Sequence, residues 1–182
     1  MKLLYIALES GTSIFFLWSI IWKVWVQPKV SFFAWEATLG KVLTLDQIQK
    51  RGRSLASRCF LWHIEEESID CFFVHCVKTR VLWELLFTLF KVSWVPSLSI
   101  REALLGWHSS FLGKKWRKVW RAGPLCLFWT VWKVRNRIAF NGDELSILSL
   151  KCSFVCLLWS ETKLFINDVY LTLFSFLDWM SS

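Results

Sequence analysis

The chain has 182 residues, is 55% apolar with 14 Trp and 16 Phe, and carries a net charge of +8 from 22 Lys and Arg against 14 Asp and Glu. That length suits one domain with a core, or one domain plus an appendage. The aromatic content excludes long disorder, and 7 Gly with 3 Pro leave too few turn signals for a many-stranded sandwich. The expected fold is mainly α: a small helical domain with a short cysteine-containing knuckle or hairpin.

In chain order, the N-terminus begins as an apolar run, Leu3 to Leu8, interrupted by Glu9 and closed by no small-x-small cleavage site. The uncharged stretch from Ser10 to Trp22 falls short of the roughly 20 residues that span a bilayer, so a membrane partner is not expected. Pro28 breaks the lead-in, and Val30 to Leu39 reads as a short helix ending at Gly40. Thr44 and Gln47 have capping-box spacing ahead of a helix from Leu45 that stops near Gly52. Arg58 to Cys76 is short, cysteine-bearing and acidic in the middle, a knuckle or hairpin, with Glu65-Glu66-Glu67 as a solvated face. Val77 to Val92 has no Gly or Pro and is apolar nearly all round, which predicts a central helix. Ser93 to Leu98 is a linker. Ser99 caps a helix through Trp107, with Glu102 completing a second capping box. Gly113 opens a segment that Pro124 divides, and Leu125 to Phe140 is a strong helix ended by Asn141-Gly142. Two apolar helices are expected at about 146–160 and 163–179.

The positive charge is concentrated. From Leu112 to Gly142 stand Lys114, Lys115, Arg117, Lys118, Arg121, Lys133, Arg135 and Arg137, with no acidic residue. On a helix, Lys114, Arg117, Lys118 and Arg121 share a broad face, while Trp116 and Trp120 fall on another. Such a face needs no ligand if the Trp side is simply buried. It also meets the requirement for contacts to an RNA or DNA backbone, for which Lys114, Lys115, Arg117, Lys118, Arg121, Arg135 and Arg137 are the candidates.

Six cysteines stand at positions 59, 71, 76, 126, 152 and 156. Cys126, Cys152 and Cys156 lie in apolar runs where free cysteine packs as a small hydrophobe, which favours a reducing, intracellular compartment (nuclear or cytoplasmic). Cys59, Cys71 and Cys76, with His63 or His75, are the candidate metal ligands, because zinc takes four donors of this kind. The competing reading is a set of free cysteines packed beside Trp62. Catalytic motifs are missing: no Gly-rich phosphate loop, no GxSxG, no His-Glu-x-x-His.

Several segments resemble one family. They are Ile21-Trp22, Val26 to Ala37, Gly40 to Asp46, Lys50-Arg51-Gly52, Arg58 to Leu61, Glu65 to Asp70, His75-Cys76 and Val81-Leu82-Trp83. Together they are similar to the plant reverse-transcriptase zinc-binding domain. Trp120 to Trp129 and Trp132 to Phe140 look like the tail that often follows it in retroelement copies. The resemblance implies an apolar lead-in at 1–20, the zinc-binding-like domain at 21–92 and a helical tail at 93–182. It also implies an accessory, non-catalytic module of a non-LTR retrotransposon polyprotein, whose neighbours in that polyprotein would be its partners. The chain lacks the paired aspartates of a polymerase. The family's implied ligands are Cys-x-x-Cys, then His and Cys five residues apart. Cys59 and Cys76 match, Cys71 replaces the histidine, and Trp62 stands in place of the second cysteine, which puts zinc in question. The implied function is a non-catalytic module contacting nucleic-acid backbone, the alternative an inactive structural fragment of a decayed retroelement.

Overall fold

The computed structural model describes residues 15–52, 58–62, 64, 66–93, 95, 97–109 and 116–163. Within them the protein is helical, with no strand. Residues 15–22 form α1, followed by α2 (Pro28–Thr38), α3 (Leu45–Lys50), a π-helical turn (Cys71–His75), α4 (Val77–Phe90), α5 (Ile100–Ser109), α6 (Arg117–Asn141) and α7 (Ile147–Thr162). The mainly α expectation holds. The helix expected at 163–179 lies, beyond Lys163, outside the described residues.

Helix ends follow local chemistry. Pro28 occupies the first turn of α2, where its missing N–H and fixed φ are harmless. Gly40, Gly52 and Gly142 take positive φ of 71°, 85° and 70° just past α2, α3 and α6, the conformation in which glycine has no Cβ penalty. Ser99 Oγ accepts the Glu102 N–H at 3.2 Å, and the Glu102 carboxylate accepts the Leu98 N–H at 3.1 Å. At α3, Thr44 caps nothing with its side chain. The Leu45 N–H is taken instead by the distant Glu67 carboxylate at 3.1 Å.

The segment expected to be a knuckle or hairpin is only partly one. A single antiparallel bridge joins Arg58 to Glu66, and the second half is the π-turn, closed by the Cys76 N–H on the Cys71 carbonyl at 2.6 Å. The widened turn frees the carbonyls of Phe72 and Phe73, which accept from Thr79 Oγ1 (2.8 Å) and Trp83 Nε1 (2.9 Å) on α4. A π-turn survives where such partners exist.

α6 is the organising element, packing on α2, α4, α5 and α7. The sequence predicts a division at Pro124, yet one helix runs straight through it. Proline removes the N–H that would bond the Trp120 carbonyl. The Trp107 indole fills that gap, donating to Trp120 O at 2.7 Å, while the Trp120 indole donates to Trp107 O at 2.9 Å. The two rings stack with centroids 3.5 Å apart and planes 10° from parallel. Beside the proline, Gly123 lets α6 approach α4: a Cβ there would lie 3.0 Å from Leu86 Cδ2.

One continuous apolar cluster runs from Leu17 to Leu158. It holds much of the aromatic excess: Phe33 packs against Phe73, Trp129 and Trp132, and Phe73 against Phe128. Not every cysteine follows its apolar run. Cys126 is buried, but Cys152 and Cys156 are exposed on α7, and all six are free thiols. No helix among the described residues is long and apolar enough to cross a membrane.

Candidate functional site

Two places carry the residues singled out by sequence. The first is the thiol pair. Cys59 lies beside the Arg58–Glu66 bridge and Cys76 at the N-cap of α4; both are buried and their thiols hydrogen-bond each other. The hydrogen bond from Cys59, aided by the backbone N–H groups of Thr79 and Lys78, favours the ionised form of the Cys76 sulfur, and its pKa falls to about 6 despite burial. That same hydrogen bond with Cys76, and then burial, push the Cys59 thiol well above its ordinary value. N–H groups at a helix start favour an anion in this way.

Among the described residues the remaining donors do not join them. His75 is exposed and its Nε2 lies 2.9 Å from the Leu98 carbonyl. Cys71 is half-buried on the π-turn, and among the described residues no group of three His, Cys, Asp or Glu side chains is placed to hold a metal. His63 lies outside the described residues. Trp62, at the position of an expected ligand, packs half-buried on the core with Lys78 Nζ 5.5 Å from its ring centroid. A tetrahedral zinc needs four donors. The described residues bring two together, so they do not fit a structural zinc.

The second place is a basic cleft of about 270 Å³, lined by Lys23, Val24, Trp25, Arg117, Lys118, Arg121 and Thr162. The residues that follow α1 supply Lys23 and Trp25, the first turns of α6 supply three cations, and the end of α7 closes the far side. Lys23 is not legible as a partner in the sequence, because it stands alone among apolar residues and only the packed fold brings it to the others. Trp120 is buried and Trp116 packs edge-on against Phe90, so the aromatic side of this helix is core and the basic side is surface. His108 lies close enough to feel the field of the cleft. Burial first, then Arg121 and Lys23, hold its pKa below the ordinary 6.5.

Not all the predicted phosphate contacts belong here. Lys114 and Lys115 lie outside the described residues. Arg137, exposed and 3.4 Å from Asp143, sits sixteen residues from Arg121, about 24 Å along the helix. Arg135 is overturned as a contact: it is 3% exposed and bonds the Glu67 carboxylate at 2.6 Å, its guanidinium 4.7 Å from the Phe60 ring centroid. Nor is Glu67 solvated, as its acidic run implied. It is fully buried and also accepts from the N–H groups of Leu45 and Phe60 at 3.1 and 3.2 Å.

The described residues thus form a helical domain with a buried thiol pair and a basic cleft. Residues 1–83 match the family model described as zinc-binding in reverse transcriptase. That domain is an accessory module and not itself catalytic. No curated protein and no solved structure matches the chain.

Proposed function

We propose that the protein is a retroelement-derived accessory module that holds nucleic-acid backbone in the cleft of Lys23, Arg117, Lys118 and Arg121. The observation that carries this reading is the convergence of four cations from two parts of the chain on one cleft with no carboxylate among its described lining residues. Phosphates bound there displace counterions, so affinity falls steeply with salt. Replacing Lys23, Arg117, Lys118 and Arg121 with Ala weakens binding uniformly across sequences and reduces the slope of log K against log salt by about one for each phosphate released. Filter binding over a salt series checks it, and an unchanged slope rejects the cleft as the interface. Adding Lys114→Ala and Lys115→Ala tests whether the preceding residues extend the same surface.

A second reading, an inactive fragment that once packed against other parts of a polyprotein, is favoured by one observation. α1 presents Phe15, Trp18 and Trp22 at 77%, 50% and 38% exposure, and large exposed apolar patches mark contact surfaces. It expects self-association and no nucleic-acid affinity at moderate salt.

A further inference from the structure

The cleft contains more than a polyanion requires. Trp25 lines it and is 68% exposed, so an aromatic side chain stands at the surface beside a cluster of cations. α6 also begins against the usual charge preference. A helix N-terminus is the positive end of the helix dipole and favours acidic side chains in its first turn. Here that turn has no acidic residue and no side-chain cap, and it carries Arg117 and Lys118. The positive end of a 25-residue helix with cations in its first turn favours an anion beside it.

We propose that the cleft takes one nucleotide of a single-stranded nucleic acid, its phosphate among Lys23, Arg117, Lys118 and Arg121 and its base against Trp25. This rests on the nucleic-acid reading above and adds strandedness to it. In a duplex each base face is covered by its neighbours, so an aromatic ring beside the backbone gains nothing. An unpaired strand offers its faces, and base–aromatic stacking tolerates any sequence. The modest size of the cleft, about 270 Å³, suits one such unit and not the body of a double helix.

The test uses the full chain and fluorescence anisotropy with labelled oligo-dT and oligo-U of about twelve nucleotides, within the usual footprint of single-strand binders. A DNA duplex of equal length and poly-glutamate serve as competing probes. Single strands bind about tenfold tighter than duplex, and Trp25→Ala lowers single-strand affinity about tenfold while leaving duplex affinity alone. Phe140→Ala, which removes another exposed aromatic away from the cleft lining, changes nothing. Circular dichroism shows that Trp25→Ala is folded. Equal loss on both nucleic acids, no loss, or a duplex preference overturns the stacking assignment while the basic cleft stands. Poly-glutamate binding as tightly as the strand makes the partner an acidic chain and overturns it too. No binding to any nucleic acid at low salt removes the underlying reading itself.

Discussion

Glu67 shows how much of this molecule turns on single polar side chains. Its two oxygens accept from Leu45 N, Phe60 N, Arg135 Nη2 and Arg135 Nε, at distances from 2.6 to 3.4 Å. It thereby ties α3, the cysteine-bearing loop and α6 at one fully buried point. Sequence placed it in solvent because three consecutive acids give no register, and placed Arg135 on phosphate because a cation's sign says nothing about which helix face it occupies. Removing the carboxylate with Glu67→Ala strands a buried guanidinium, and is expected to cost about 3–5 kcal/mol in urea unfolding. The double replacement Glu67→Leu, Arg135→Met removes both charges but leaves two backbone donors without acceptors. It therefore recovers only part of the stability. Full recovery would mean those N–H groups find other partners.

The thiol pair carries the residue-scale prediction about metal. The described residues supply two sulfurs and no third donor, too few to hold zinc through purification, so elemental analysis under reducing conditions is expected to give well under one zinc per chain. One zinc per chain, abolished in both Cys76→Ser and His63→Ala, would overturn this and make His63 a ligand. The Cys59–Cys76 pairing itself was within reach of sequence, since the family spacing puts both on one site. The position of His75 was not, because it depends on the loop carrying Leu98.

Among the elements, α2 to α5 were readable to within about two residues, because Gly40 and Gly52 mark the ends of α2 and α3, Ser99 and Glu102 mark the start of α5, and α4 is an apolar run without Gly or Pro. α6 was not, because its continuity depends on Trp107, an earlier residue on another helix. The same interaction supplies a prediction. Trp107→Phe keeps a ring but removes the indole N–H, leaving the buried Trp120 carbonyl without its donor, and is expected to cost about 1–3 kcal/mol. When Pro124→Ala is added to Trp107→Phe, the backbone N–H restored at position 124 can reach that carbonyl along the helix. The double variant is therefore more stable than Trp107→Phe alone. Thermal unfolding of the four proteins in the cycle measures the coupling. Simple additivity would mean that the indole bond does not hold the helix together across Pro124. Faces on α7 were unreadable for a different reason: Cys152 and Cys156 sit in a helix that is apolar nearly all round, where periodicity does not say which side is buried.

At the scale of the whole molecule, the family match and the folding unit do not coincide. The match ends at residue 83, and the resemblance read from the sequence puts a boundary at 92. The core ignores both. Phe33 and Phe73, within the matched part, pack on Phe128, Trp129 and Trp132 of α6, and Glu67 meets its charge partner there. A chain cut after Val92 would expose those aromatic faces and leave a buried carboxylate without its cation, and truncating a single buried Phe or Trp typically costs about 3–5 kcal/mol. Domain stability is only about 5–15 kcal/mol in total. Residues 1–92 alone are therefore expected to lack cooperative unfolding and to bind a hydrophobic dye, and adding residues 93–163 in trans should restore order if the interface is strong enough to reassociate. Chemical-shift dispersion and calorimetry of the short chain decide it. A sharp transition in residues 1–92 would mean that the zinc-binding-like part carries its own core, and that α6 is an addition rather than the centre of the fold.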